Sequence, residues 1–139
     1  MDLDINGLEV LAPEECIQLL HTHSLGRIAV TSGALPVILP VNYLVSDHGI
    51  VIRTRRGTRL AAATRNAIVA FETDEIAEDG RSGWSVMVQG IAREIDHVDA
   101  GAAGRESDLA PWLDPKHSRH VSISIDVVSG RRIRFDGAA

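Results

Sequence analysis

From Gly26 to Thr31 apolar residues recur at every second position, the spacing of side chains on one face of a strand. The same period returns from Pro36 to Val45, with Val37, Leu39, Val41, Tyr43 and Val45 on one face, and Ser32-Gly33-Ala34 predicts a turn between the two runs. Pro40 lacks a backbone donor, which assigns this second strand to an edge, a bulge or a barrel seam. Asp47-His48-Gly49 turns the chain again, and Ile50 to Thr54 returns antiparallel. Ala67 to Thr73 and Trp84 to Ile95 predict two more strands, the latter long enough to curve, with Gly90 where bending is easiest. Val121, Ile123, Ile125 and Val127 alternate with polar residues in a further strand. Ser129-Gly130-Arg131 then reads as a turn before a short closing strand with Ile133 and Phe135. Helical spacing is confined to two short segments. Pro13 to Leu20 has an early proline, two acids in its first turn, and Cys16, Leu19 and Leu20 on one side. Arg59 to Arg65 is capped by Thr58 and ended by Asn66. Asp96 to Arg119 keeps no period and reads as a loop with one helical turn.

Six or seven antiparallel strands with two short helices favour a barrel, because closure removes exposed edges. At 139 residues the expectation is one domain spanning 1–139. No apolar run approaches the roughly 18 residues of a membrane helix, so a membrane-spanning protein is not expected. The acidic start Met1-Asp2-Leu3-Asp4 does not read as a signal peptide. A single cysteine, Cys16, excludes an intramolecular disulfide and any multi-cysteine metal site, which together predicts a cytoplasmic protein. A net charge of -5 argues against sequence-independent binding to nucleic acid.

The placement of charge says more than its sum. Thirteen of the fourteen basic residues are arginine, and Arg53, Arg55, Arg56 and Arg59 fall within seven positions. Glu72, Asp74, Glu75, Glu78 and Asp79 gather in what reads as a solvated loop. Around the arginines, a strand delivers Arg53 and Thr54 to its end, Gly57 lets the backbone turn, and Thr58 opens a helix whose first amides lack internal partners. This is either a phosphate site built from guanidinium forks or a solvated basic turn. Trp84 follows a glycine turn, where it either covers a planar ligand or seals the barrel end. Ser85 and Gln89 fall on the face opposite Trp84, Val86 and Val88. Asn42 offers donor and acceptor to a heterocycle edge, or satisfies a bulge beside Pro40. His21 with His23, and His117 with His120, lack a cysteine or carboxylate framework, so no metal site is expected. Ser85 has no nucleophile elbow and Cys16 lies on an apolar helix face, which leaves no nucleophile.

Pro40-Val41-Asn42-Tyr43, the Arg53-Thr54 strand end before Gly57-Thr58-Arg59-Leu60, and Ser82-Gly83-Trp84-Ser85-Val86-Met87-Val88-Gln89-Gly90 together resemble the FMN-binding split-barrel family. The likeness is to the pyridoxamine 5'-phosphate oxidase-like proteins, in a small actinobacterial branch similar to nitroimidazole-resistance proteins. It runs from Glu14-Glu15-Cys16 to Ser129-Gly130-Arg131-Arg132-Ile133. The resemblance implies a mainly β, six-stranded antiparallel split β-barrel that forms a homodimer with FMN in grooves at the subunit interface. By matching positions, Arg53, Thr54, Thr58 and Arg59 would hold the phosphate, and Val41 and Asn42 would lie along the isoalloxazine. Trp84, Ser85 and Gln89 would contact the ring or ribityl chain, from the same or the second subunit. Arg59 stands where the family often has lysine, which keeps the charge and changes its geometry.

The implied activity is a flavin-dependent oxidoreductase of a small planar substrate, with hydride exchanged at flavin N5 and the protein positioning the cofactor. The C-terminal segment with which the oxidases grip pyridoxamine phosphate has no counterpart before Ala139, so oxidation of that substrate is not the expectation. Two alternatives stay open. One is a reductase using a deazaflavin coenzyme whose acidic tail meets Arg55 and Arg56. The other is a non-catalytic flavin- or haem-binding protein with His117 or His120 as axial ligand. The 96–119 loop, with Pro111 and Trp112, would form the wall that selects the substrate.

Overall fold

A computed structural model describes residues 2–98 and 109–134. In chain order its elements are β1 (Glu9–Val10), α1 (Pro13–Leu20), β2 (Leu25–Ser32), β3 (Leu35–Asn42), β4 (Leu44–Ser46), β5 (Gly49–Arg55), α2 (Arg59–Ala63), β6 (Ala67–Ile76), β7 (Ser82–Ile95), β8 (Ser118–Ile123) and β9 (Val127–Arg134). A single 3-10 turn, Pro115–His117, precedes β8. Every pairing is antiparallel, in the order β3-β2-β6-β7-β8-β5-β4, with β9 joining β7 and β1 joining β9.

The long strand β7 divides the sheet. One edge pairs with β6 from Gly83 to Ala92, while the other pairs with β9 from Ser82 to Gln89 and with β8 from Ala92 to Ile95. The sheet thereby curls into a split β-barrel around Ile28, Ile50, Ile52, Phe71, Val86, Val88, Val121 and Ile123, all without solvent exposure. Helix α1 contributes Cys16 and Leu20 to this core, as its apolar spacing requires. Neither described helix is long and apolar enough to cross a membrane.

Four details differ from the sequence pattern, each for a tertiary reason. The run Pro36 to Val45 is two strands, because Tyr43 turns out of the ladder. Its N–H donates to the Ser24 carbonyl at 2.9 Å, its hydroxyl to the Leu20 carbonyl at 2.6 Å, and its ring meets Phe71 edge-on at 4.7 Å. Strand β6 runs on to Ile76, so Glu72, Asp74 and Glu75 belong to a strand rather than a solvated loop. The alternation from Val121 to Val127 breaks at Ser124–Asp126. There the Ser124 N–H donates to the Ile91 carbonyl at 3.1 Å, and the Ser124 hydroxyl oxygen accepts from the Ile91 N–H at 2.9 Å. Gly90 is required at this crossing, since a Cβ would strike the Ser124 carbonyl.

Finally, Ser129-Gly130-Arg131 lies inside β9 and makes no turn. A Cβ at Gly130 would come within 2.7 Å of Cys16 Sγ, so this glycine lets α1 pack against the sheet. Phe135 lies outside the described residues, as does part of the 96–119 segment. Strand β1 is an addition to the sequence reading: Glu9 and Val10 pair with Arg132 and Arg131. Asp4 accepts from Arg131 at 3.0 Å and Glu15 from Arg132 at 2.7 Å, which ties the N-terminal segment and α1 to β9.

Candidate functional site

Strand β3 ends at Asn42 and β5 ends at Arg55; between these ends and the turn at Thr58 lies a cavity of about 240 Å³. Pro40, Val41 and Asn42 form one wall and Arg53, Thr54 and Arg55 another, with Trp112 and Leu113 across from them. Proline is tolerated at position 40 because β3 ends the sheet order as an edge strand.

Arg53 is half-buried, and its Nε donates to Ser118 Oγ at 2.9 Å, which orients the guanidinium. Among the described residues, no carboxylate makes an ion pair with Arg53 or with the exposed Arg55. The neighbouring Thr54 is 1% exposed, and its hydroxyl has no hydrogen-bond partner. A buried hydroxyl left unpaired costs on the order of 1–3 kcal/mol, which a water or a ligand group beside Thr54 would recover.

Thr58 plays a different part from its neighbours. Its hydroxyl donates to the Arg55 carbonyl at 2.7 Å and accepts from the Ala61 N–H at 3.1 Å. The single proton of this side chain is spent on the turn, and Thr58 shapes the cavity wall. Gly57, at φ +79°, supplies the left-handed step the turn needs. Helix α2 is anchored from below by Arg119, a residue the sequence reading left in the loop. Arg119 is 5% exposed, donates to the Ala61 carbonyl and to Thr64 Oγ1 (3.1 Å), and pairs with Glu94 at 3.3 Å. Glu94 also meets Arg56 at 3.5 Å. Extending the period of Val121 and Ile123 backwards by one step would have pointed Arg119 inward.

Of the nine residues singled out from sequence, five line this one cavity: Val41, Asn42, Arg53, Thr54 and Thr58. Arg59 is exposed on α2 and outside it. Trp84 packs against the core, its ring edge-on to His23 at 5.0 Å. Ser85 and Gln89 lie on the opposite face of β7, beside Met87. Replacing Trp84 by Leu is therefore expected to lower stability by about 1–3 kcal/mol through the space it leaves. If the ring also reaches a flavin, emission of bound flavin rises in the same variant; Trp112→Leu serves as the control.

The outer face of β3, β2, β6 and β7 carries a second feature. Ala29, Ile38, Ala70 and Met87 line a shallow apolar depression of about 330 Å³, with Ile38 68% exposed. At its border Arg27 lies 3.3 Å from both Glu72 and Asp74. Burial, followed by the hydrogen bond and charge of Asp74, pushes the Glu72 carboxyl from 4.5 up to about 7, against the pull of Arg27. The folded state thus holds this proton more tightly than the unfolded chain. The stability it contributes is full below pH 4.5 and lost as pH rises through about 7. Glu72→Gln is expected to flatten that decline and to gain on the parent above neutrality; parallel curves in a pH series of thermal melts would refute this.

A curled antiparallel sheet divided by one long strand, with an arginine-lined cavity at its strand ends, defines a split-barrel domain. The chain belongs to the pyridoxamine 5'-phosphate oxidase family, whose model matches residues 12–132. It is 35% identical over 128 residues to the uncharacterized protein Rv0080 of Mycobacterium tuberculosis, covering 88% of this chain and 84% of that one. Its fold is similar to that of an FAD binding protein from Mycobacterium smegmatis, with TM-score 0.76 and 34% identity over 91% of this chain and 99% of the other. An FAD-binding protein from Mesorhizobium loti is similar at TM-score 0.71 and 25% identity, over 90% of this chain and 96% of that one.

Proposed function

We propose that this protein holds a flavin by its phosphate in the cavity between β3 and β5, and acts as a cytoplasmic flavin-dependent oxidoreductase on a small planar substrate. The observation that carries this reading is the placement of two arginines without carboxylate partners beside a buried, unpartnered hydroxyl. Guanidinium forks suit phosphate oxygens, and an acceptor oxygen would complete Thr54. The flavin-binding relatives support the choice of cofactor, of which FMN is the smallest form that carries a phosphate.

In this mechanism the bound flavin supplies hydride transfer, and the chain supplies position and charge. Arg53, steadied by Ser118, neutralises the phosphate. Asn42, at the end of β3, offers hydrogen bonds to a heteroaromatic edge, while Val41 gives an apolar surface. The outer apolar face is assigned to a second copy of the chain. Arg27 with Glu72 and Asp74 gives it both signs of charge, so it can complement itself across a two-fold axis. Ser85 and Gln89 share that face with Met87, where a partner subunit would meet them.

Purified protein is expected to be yellow, absorbing near ~450 nm, or to become so when FMN is added. A Soret band, or a colourless protein that takes up no FMN, would overturn the flavin reading. Sedimentation is expected to give a dimer burying on the order of 2,000 Å². A stable monomer at micromolar concentration would remove the second copy from the site.

A further inference from the structure

Asn42 lines more than the β3–β5 cavity. It also borders a cavity of about 210 Å³ set between the α1–β2 connection and β4. Liquid water takes about 30 Å³ per molecule, so this space has room for one small ring with its substituent. We propose that it is the pocket of the substrate, and that the substrate is a small monocyclic carboxylate. The inference rests on the flavin reading and deepens it, because Asn42 belongs to both cavities and a carboxamide has donors and acceptors enough to serve a ligand in each.

Three observations carry it. The floor is apolar and buried: Leu20, Tyr43 and Leu109 line it, none more than 3% exposed, and the Tyr43 hydroxyl is already spent on the Leu20 carbonyl. Such a surface takes a ring. The polar groups are few and gathered, as in a ligand pocket. His21, Ser24 and Asn42 all line the cavity, and among the described residues none of their side chains makes a hydrogen bond. His23, the fourth polar group, is fixed: the Thr22 hydroxyl donates to the Leu19 carbonyl at 2.7 Å, so its oxygen accepts from His23 Nδ1 at 3.0 Å, and the ring lies edge-on to Trp84 at 5.0 Å. The third observation is the sign of charge. Among the described residues no carboxylate lines the cavity, and Glu75, which reaches His23 at 3.7 Å, is largely exposed and outside it. An imidazole, a hydroxyl and a carboxamide can each donate to a carboxylate oxygen, whereas nothing in the lining would pair with an ammonium group.

The test titrates benzoate, benzamide and benzylamine against the full chain by calorimetry, with and without FMN; the three share a ring and differ in charge. Benzoate is expected to bind at least about tenfold more tightly than benzylamine, with benzamide between them. It should bind alongside FMN and shift the absorption band of the bound flavin. Ser24→Ala and His21→Ala, both at exposed positions, should each weaken benzoate binding about fivefold to tenfold and leave FMN affinity within about twofold, with thermal melts to check that the fold is kept. Benzylamine binding as tightly as benzoate, or benzoate affinity untouched by both substitutions, would overturn the carboxylate pocket. Competition between benzoate and FMN would overturn it too, because the space would then belong to the flavin ring. An unshifted flavin band would put benzoate away from the cofactor and overturn the substrate role. FMN binding without benzoate binding would remove the pocket and keep the flavin reading. Benzoate held through Ser24 and His21 by a chain that takes no FMN would keep the carboxylate site and overturn the flavin reading. Binding of neither would overturn both.

Discussion

Replacing Arg53 by Ala is expected to weaken FMN binding by about 2–4 kcal/mol and to leave riboflavin, which has no phosphate, nearly unaffected. The argument is geometric. Arg53 is half-buried, held at Nε by Ser118, and makes no ion pair among the described residues, so its charge is already oriented when the ligand arrives. A pre-oriented cation loses little side-chain entropy on binding, which is why its removal costs more than loss of a surface pair. Arg59 provides the internal contrast. It is exposed and outside the cavity, so Arg59→Ala is expected to cost under about 1 kcal/mol. Equal losses for FMN and riboflavin at Arg53 would show that this residue supports the fold instead. Equal losses at Arg53 and Arg59 would overturn the assignment of the phosphate to the β5 end.

What the sequence makes legible is what local chemistry decides. Helix α1 begins at Pro13 and ends at Leu20, as its proline, acids and apolar spacing require. Thr58 caps α2 with its own side chain, and Pro40 lies on an edge strand. The arginine cluster is legible for the same reason, being contiguous in the chain. The errors fall where a distant group overrides a local signal. Ser129-Gly130-Arg131 has the composition of a turn, but the space left by Gly130 is filled by Cys16 from a helix more than a hundred residues away in sequence. The alternation through Ser124 to Asp126 survives a break in pairing, because the break is imposed by β7 crossing at Gly90.

The site divides in the same way. Val41 and Asn42 meet Arg53 only because the sheet curls to bring the ends of β3 and β5 together, strands that do not pair. Periodicity contains no term for that closure. Trp112, read from sequence as part of a substrate wall, lines the cavity at the ends of β3 and β5 and a second one beside Arg55, a placement that only the fold supplies.

Replacing Arg119 by Met is expected to lower stability by about 2–4 kcal/mol, although the residue touches no ligand cavity. Its guanidinium, 2% exposed, satisfies the Ala61 carbonyl at the end of the five-residue helix α2, bonds Thr64, and balances Glu94. A helix this short has almost no stability of its own, so its docking depends on such contacts. Removing the guanidinium takes donors from the last turn and leaves Glu94 its ion pair with the exposed Arg56. Glu94 is 40% exposed and can rehydrate, which keeps the loss below that of a fully buried pair. Lysine should not rescue the variant, because one ammonium cannot serve a helix terminus and a carboxylate on another strand with the fork of an arginine. Glu94→Gln, which preserves every contact of Arg119 to α2, should cost less than about 1 kcal/mol. Because α2 opens at Thr58, Arg119→Lys should also weaken FMN binding while Glu94→Gln does not. Urea titrations and FMN titrations of the three variants decide it: a stable Arg119→Met, or a Glu94→Gln more damaged than Arg119→Lys, would show that α2 is held by its apolar contacts alone.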